Sequence, residues 1–182
     1  MLKIVQLSAA VALVAIAAAP SATADQRFAH KNGNATAGTC GSSSDLSDTA
    51  NGPCNTMALA LSNAKAAGGG SNRIIVMGNG NFFENLLLDD TARPTEIRRT
   101  GDGNPGIGAT GAAGTAITIA VGGQRVLIDG IRVNNGQGSG ATTGIKVNSV
   151  GTLELSATEF RGFGGVAPPR GSWSARGPCR GG

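Results

Sequence analysis

The chain contains 182 residues, of which 14% are charged, and its formal net charge is +4. Residues 25–165 contain 11 basic and 11 acidic residues, so the excess positive charge lies near the two ends of the chain. A nucleic-acid-binding domain needs Lys and Arg clustered on one face, and the neutral central region excludes that class. No apolar run reaches the roughly 20 residues that a membrane-spanning helix requires.

Residues 1–24 have the features of a secretory signal peptide. Lys3 precedes an apolar run at 11–19, and the segment ends in a small-x-small sequence at 22–24. This pattern predicts cleavage before Asp25. We therefore expect a secreted, periplasmic or cell-surface protein with no membrane association after cleavage. An uncleaved N-terminal anchor is the alternative.

Residues 25–55 are polar and show no apolar periodicity, so they are predicted to form a loop segment. Cys40 and Cys54 lie within it, and in an exported protein this pair predicts a disulfide. Such a cross-link would stabilise the fold by about 3 kcal/mol in the chain-entropy model. Zinc is a poor alternative because His30 is the only histidine, which leaves the ligand set incomplete.

The segment 56–165 is predicted to contain a capping helix followed by solenoid coils. Met57, Leu59, Leu61 and Ala64 place an apolar stripe on a short helix, which ends at three consecutive glycines. A solenoid must cover the exposed core and the unpaired strand at its open end. We therefore expect this helix to be the N-terminal cap.

The first coil is predicted over 73–90, and its inward pair is either Ile74 and Val76 or Ile75 and Met77. A second strand is expected around 96–99. Residues 101–106 match the G-x-G-x-x-G pattern. Because proline and a Gly/Ala-rich run follow where a helix should begin, the pattern predicts a wide turn and not a dinucleotide site.

The stretch 116–160 contains an internal repeat. Its apolar residues lie two apart, as in strands with one buried face, and the pattern recurs after 27 or 28 residues. This period indicates a solenoid, and short strands joined by bends at 129–130 and 156–157 predict a parallel β-helix of about three coils. The aligned pairs are Ile117 with Ile145, Ile119 with Val147, Val126 with Leu153, Ile128 with Leu155, and Val133 with Phe160.

Three runs, at 68–82, 95–103 and 126–135, resemble the first coils of secreted bacterial right-handed parallel β-helix proteins of the pectin-lyase-like superfamily. The likeness spans about residues 37–165 and rests on structural motifs. It implies an all-β solenoid with right-handed coils. In the polysaccharide lyases and hydrolases of this fold, function lies on the outer face of the stacked strands. Because one fold hosts many activities, the resemblance implies the fold more than the function.

The acidic residues offer few candidates for a catalytic or metal site. Asp89 and Asp90 are the only adjacent carboxylates, and Asp102 is the one further acid that could join them. Calcium takes six to eight oxygen ligands, so this set predicts at most a weak calcium site. No catalytic residue, metal ligand or cofactor is predicted beyond it.

The arginines of the coils are candidate contacts for acidic sugars. Solvated residues on the outer face are the commoner explanation for such arginines. The repeat also aligns Arg132 with Glu159, which predicts an exposed ion pair between coils. The four candidates are Arg98, Arg99, Arg125 and Arg132.

Residues 166–182 contain three prolines and Cys179 and lack strand alternation, so the coils are predicted to end before an irregular, disordered tail. The abrupt change of composition suggests a truncated chain with an out-of-frame tail. An uncapped last edge predicts self-association.

We therefore expect an exported, non-catalytic β-helix scaffold of adhesin-like or carbohydrate-contacting type, with a polysaccharide or cell-surface glycan as partner. The alternative is the N-terminal part of a polysaccharide lyase or glycoside hydrolase.

Overall fold

The computed structural model of the chain describes residues 24–34, 38–111, 114–135 and 143–162. Residues 1–23 of the predicted signal peptide and the tail 166–182 lie outside the described residues. In chain order the elements are β1 (Ala24–Asn34), α1 (Met57–Ala67), β2 (Ser71–Val76), β3 (Gly80–Phe83), β4 (Leu86–Leu88), β5 (Thr95–Arg99), β6 (Pro105–Gly108), β7 (Thr115–Ala120), β8 (Arg125–Asp129), β9 (Arg132–Asn134), β10 (Thr143–Ser149), β11 (Thr152–Ser156) and β12 (Glu159–Arg161).

The strands form three parallel sheets that stack coil upon coil. Sheet A has the order β1-β2-β5-β8-β11, sheet B the order β3-β6-β9-β12, and sheet C the order β4-β7-β10. Each coil contributes one strand to each sheet. β2 to β4, β5 to β7 and β8 to β10 make three complete coils, and β11 and β12 begin a further one. The predicted parallel β-solenoid is confirmed.

The strand register confirms the internal repeat. Ile145 pairs with Ile117, Leu153 with Val126, and Leu155 with Ile128. Phe160 pairs with Val133 in sheet B. The aligned apolar residues therefore stack in columns that run along the solenoid.

These columns form the core. The inward residues of the first two coils and of β8 and β9 are almost fully buried, which also settles the register of the first coil. Ile74 and Val76 are the inward pair, with exposed fractions of 1% and 0%, and Ile75 faces outward. The largest fully buried side chains include Ile74, Leu86, Leu88, Ile97, Ile107, Ile117, Ile119, Ile128 and Ile131.

The predicted loop over 25–55 is wrong for its first third, because Ala24–Asn34 forms β1. This strand has little apolar alternation, and its two neighbours stabilise it instead. It pairs in parallel with β2 on one edge. On the other edge the N–H of Phe28 donates to the carbonyl of Gly41 at 2.8 Å, and Ala29 forms a β-bridge with Cys54.

The structure contains the predicted disulfide between Cys40 and Cys54, whose Cα atoms are 5.0 Å apart. Asn63 of α1 holds it in place, since its Nδ2 donates to the carbonyl of Cys40 at 3.0 Å and its Oδ1 accepts from the N–H of Gly38 at 3.1 Å. The disulfide loop, residues 38–54, thus covers the outer edge of β1.

Helix α1 packs against β1 and β2, as the predicted cap requires. It begins after Thr56, whose hydroxyl accepts the N–H of Leu59 at 3.1 Å, and it ends at Gly68 with a φ of 79°. The carboxylate of Glu84 accepts from the N–H groups of Met57 and Ala58, at 2.8 and 2.9 Å. Burial raises the pKa of Glu84, and the hydrogen bonds from Ala58 and Met57 offset this only in part.

The wide turn predicted over 101–106 is correct only at its start. Residues 101–102 form a turn, but Pro105–Gly108 is the strand β6. Proline is accepted here because it occupies the first position of a strand. Ile107 points into the core, but it lies between two glycines, so the sequence shows no apolar alternation there.

The bends between sheets A and B use left-handed backbone at equivalent positions of two coils. Gly130 has a φ of 70°, and Ala157, one coil later, has a φ of 47°. This conformation costs an L-residue about 1–2 kcal/mol. Both predicted bends are confirmed, and the second is strained.

Among the described residues, no helix is long and apolar enough to span a membrane.

Candidate functional site

The outer face of sheet A carries a ladder of ion pairs centred on Glu96. Its carboxylate lies 3.1 Å from Nε of Arg73 on one side and 3.2 Å from a terminal nitrogen of Arg125 on the other. Nε of Arg98 lies 3.3 Å from the same carboxylate, without hydrogen-bond geometry. Strands β2 and β8, which carry Arg73 and Arg125, lie on either side of β5, so Glu96 is held between basic residues of both neighbouring coils.

Arg125 extends the ladder to the last coil. Its guanidinium donates to both carboxylate oxygens of Glu154, at 2.7 and 3.1 Å. This bidentate bond raises the pKa of Arg125 above its ordinary value. Two of the predicted sugar contacts, Arg98 and Arg125, are therefore bound to carboxylates of their own sheet.

The structure separates the two acids of the predicted calcium site. Asp89 is half-exposed and forms an ion pair with Nζ of Lys65 at 2.7 Å. Asp90 is 8% exposed and accepts hydrogen bonds from Asn72, from the N–H of Ala92 and from Arg93.

The environment of Asp90 is that of a structural anion. Burial alone would raise its pKa, but the hydrogen bonds from Asn72, Ala92 and Arg93 and the charge of Arg93 together lower the pKa below its ordinary value. Within the described residues, no three His, Cys, Asp or Glu side chains converge into a metal-binding group.

The outer face of sheet B has a different character. Oδ1 of Asn81, in the first coil, accepts hydrogen bonds from Arg132 at 2.9 Å and from Asn134 at 3.0 Å, both in the third coil. These two hydrogen bonds pass over Gly106 of the second coil. A Cβ atom added to Gly106 would lie 2.4 Å from Oδ1 of Asn81. Only glycine fits beneath this bridge.

Phe83 lies two residues after Asn81 on the same strand, and it is 50% exposed. Its register partner in the second coil is Gly108, and the partner of Gly108 in the third coil is Asn134. We call Asn81, Phe83, Arg132 and Asn134 the sheet B face.

The remaining two candidate arginines have no carboxylate partner among the described residues. Arg99 is exposed and donates to the carbonyl of Gly103 at 3.2 Å, while Arg132 bonds to the neutral amide of Asn81. Arg132 does lie opposite Glu159 in the predicted register. Glu159 forms an ion pair with Arg161 of its own strand at 2.7 Å.

Sequence reasoning named Arg132 but missed Asn81, Phe83 and Asn134. The candidates in the sequence were charged residues, whereas an exposed aromatic ring and two amides form most of this face. The signal was present in Phe82 and Phe83, since consecutive residues of a strand point to opposite sides and only one of them can enter the core.

A cleft of about 220 Å³ also lies between the end of β1 and the disulfide loop. Asn32, Leu46 and Pro53 contribute to its lining. Its one carboxylate, that of Asp48, accepts the N–H groups of Ala50 and Asn51 within its own turn.

Comparisons with protein-family models, curated proteins and solved structures find no match. The description of the fold and of the sheet B face therefore uses only the sequence and structure of this chain.

Proposed function

We propose that this chain is an exported, non-catalytic β-helix scaffold of the pectin-lyase-like type, and that it contacts carbohydrate through the sheet B face. The observation that carries the proposal is the combination of a half-exposed Phe83 with the Asn81, Arg132 and Asn134 bridge. Sugar rings present an apolar side that packs on an aromatic ring and hydroxyls that bond to amides and guanidinium groups.

The spacing of this surface supports an extended ligand. Neighbouring coils stack about 4.8 Å apart, so Asn81 and Arg132, which lie two coils apart, are separated along the axis by about 10 Å. That length matches roughly two sugar units. Arg132 has no carboxylate partner among the described residues, so its charge favours a glycan that carries acidic groups.

The arginine-bound carboxylates of the coils favour a scaffold over an enzyme. A glycoside hydrolase needs two carboxyl groups about 5–9.5 Å apart that are available to the substrate. In the coils, Glu96 and Glu154 are bound to arginines of sheet A, and Glu159 is bound to Arg161. Asp90 is bound to Arg93.

Export is part of the same proposal. The Cys40–Cys54 disulfide supports it, because such cross-links persist in oxidising compartments. The predicted cleavage point also lies within one residue of the first residue of β1.

Binding to a panel of neutral and acidic polysaccharides tests the proposal, with turnover measured on the same panel. We expect binding without turnover, and about tenfold weaker binding for Phe83→Ala, equivalent to about 1.4 kcal/mol. Leu87→Ala is the matched control, because Leu87 is an equally exposed apolar residue, at 49%, on sheet C. Arg132→Ala should weaken binding to acidic glycans more than to neutral ones.

Two results would reject the proposal. Equal losses for Phe83→Ala and Leu87→Ala would remove the sheet B face from the ligand site. Calcium-dependent cleavage of a polyuronate would instead establish the alternative, part of a polysaccharide lyase or hydrolase.

A further inference from the structure

The Cys40–Cys54 disulfide is completely enclosed, because both residues are 0% exposed. A backbone hydrogen bond holds the two ends of the disulfide loop together, since the N–H of Gly41 donates to the carbonyl of Gly52 at 2.7 Å. A soluble oxidant does not reach either sulfur atom in this arrangement. Closure of the disulfide within the docked loop therefore depends on the two cysteines and on the groups that contact them.

Helix α1 places a polar side chain against this disulfide. The buried residues of α1, a helix that the structure describes in full, are Met57, Ala60, Leu61, Asn63 and Ala64, so Asn63 is the one polar residue on that side. Asparagine is a poor helix former, and burial of its amide is unfavourable unless the amide finds partners. The partners of Asn63 therefore explain its position.

The amide of Asn63 contacts both sulfur atoms in addition to the backbone. Its Nδ2 already donates to the carbonyl of Cys40, and an amide nitrogen carries a second N–H. Nδ2 lies 3.4 Å from Sγ of Cys40 and 3.7 Å from Sγ of Cys54. A neutral sulfur is a weak acceptor, whereas a charged thiolate accepts a hydrogen bond strongly. An N–H at this place therefore stabilises a thiolate more than it stabilises the closed disulfide.

We propose that Asn63 is a positioning residue for the formation of the Cys40–Cys54 disulfide, and that it holds Cys40 as the attacking thiolate. Cys40 takes this role because Asn63 binds its carbonyl and lies nearer to its sulfur atom than to that of Cys54. Helix α1 is then the template on which the disulfide loop closes, so the cross-link forms after the cap and not before it.

The oxidant in this reaction is a small disulfide such as oxidised glutathione. In the open loop, the thiolate of Cys54 attacks it, which gives a mixed disulfide and releases one glutathione. As the loop docks on α1, the thiol of Cys40 gives its proton to water, and the thiolate attacks Sγ of Cys54. The bond between the two cysteines forms, the bond from Cys54 to glutathione breaks, and the second glutathione leaves and takes up a proton. The two cysteines lose two electrons and the oxidant gains them.

The charged residues around the disulfide have other contacts. Lys65 of α1 is paired with Asp89, Arg27 of β1 is paired with Asp25, His30 and Lys31 of β1 lie against Gly78 and Gly80, and Asp45 and Asp48 of the disulfide loop accept hydrogen bonds within their own turns. Asn63 is therefore the donor whose removal should change the pH dependence of closure.

The test measures closure in the reduced full-length chain with Cys179→Ser, so that only Cys40 and Cys54 react. After oxidised glutathione is added, acid quenching and mass spectrometry separate the reduced chain, the mixed disulfide and the closed disulfide. We expect Asn63→Ala and Asn63→Asp to slow the closing step by at least about tenfold, while the mixed disulfide forms at the wild-type rate. Asn63→Asp keeps the size of the side chain and the acceptor for the N–H of Gly38, but it has no N–H to donate.

The pH dependence of the closing step separates the donor from a purely structural contact. Because the N–H favours the thiolate, the wild-type rate should reach half of its maximum at a lower pH than the rate of Asn63→Ala. Leu61→Ala is the matched control, since Leu61 is 4% exposed on the same helix. This substitution weakens the packing of α1, so it should lower the closing rate at every pH and leave the midpoint unchanged.

Three results would overturn the proposal. An unchanged closing rate in Asn63→Asp would show that the N–H takes no part in closure. A slower rate with the wild-type midpoint in Asn63→Ala, as expected for Leu61→Ala, would leave Asn63 with a structural contact alone. A wild-type chain that closes no faster in buffer than in concentrated urea would show that closure does not use the docked loop. A variant that loses its fold closes at its urea rate at every pH, which distinguishes unfolding from loss of the donor.

Discussion

Asp90→Asn should destabilise the protein strongly, because Asp90 connects three parts of the N-terminal end. Its carboxylate is 8% exposed and accepts from Asn72 at 2.9 Å, from Ala92 at 2.9 Å and from Nε of Arg93 at 2.9 Å. Arg93 in turn donates to the carbonyl of Lys65 near the end of α1 at 3.0 Å. The acid therefore holds the turn at 90–93 against both the first coil and its cap.

The expected loss in the free energy of unfolding follows from these contacts of Asp90. Removing one partner of a buried ion pair costs about 3–5 kcal/mol. Arg93 is 19% exposed, and asparagine keeps one acceptor oxygen, so we expect a loss of about 2–3 kcal/mol in the free energy of unfolding. Asp89→Asn is the matched control. Asp89 is 45% exposed with one ion pair to Lys65, so its loss should stay below about 1 kcal/mol.

The pH dependence of the free energy of unfolding provides a second test of the role of Asp90. The pKa of Asp90 lies below its ordinary value of 3.8 in the folded state, so the unfolded chain binds the proton more readily. The stabilisation is present above pH 3.8 and is lost as the pH falls through the folded pKa. Asp90→Asn lacks this component, and its free energy of unfolding should converge on that of the wild type in acid.

Urea unfolding followed by far-UV circular dichroism measures these quantities. Fluorescence is a poor probe because the chain has no tyrosine and its single tryptophan, Trp173, lies in the tail. Equal losses for Asp89→Asn and Asp90→Asn, with calcium stabilising only the wild type, would refute this reasoning and indicate a shared cation site instead.

Two further predictions concern the cap and the second bend. Glu84→Ala removes the acceptor of two helix N–H groups and should cost about 2–3 kcal/mol by urea unfolding. The pKa of Glu84 is raised above its ordinary value of 4.5, so its contribution to the free energy of unfolding falls as the pH rises above 4.5. The loss caused by Glu84→Ala should therefore be largest in acid. A loss that grows toward neutral pH would contradict this. Ala157→Gly should raise the free energy of unfolding by up to about 1 kcal/mol, because φ of 47° strains alanine; lower stability would show that the side chain contributes more than the strain.

The sequence predicted the later coils best, because there the apolar alternation is uninterrupted. The pairs of Ile117 with Ile145 and of Val126 with Leu153 follow directly from the repeat and are confirmed. Ile117, Ile119, Val126 and Ile128 are fully or almost fully buried, so the strand period agrees with burial there. The first coil was ambiguous for the opposite reason, since the run at 74–77 is apolar on both faces.

β1 and β6 could not be predicted from apolar periodicity. β1 is a polar strand whose edges are covered by distant segments, and β6 contains one inward side chain between glycines. The hydrogen-bond partners of the side chains on the outer face could not be predicted from the sequence either. Register placed Arg132 opposite Glu159, but the reach of its side chain toward Asn81, two coils away, depends on the empty space above Gly106.

The covered N-terminal end also gives folding a direction. The Cys40–Cys54 disulfide closes a short loop beside β1, so this end can complete its own contacts without the later coils. Successive strands of sheet A then pair with neighbours only 23 to 31 residues away. Each new coil can pair with the exposed strands of the coil before it. Folding can therefore proceed from the disulfide-linked N-terminal end, one coil at a time.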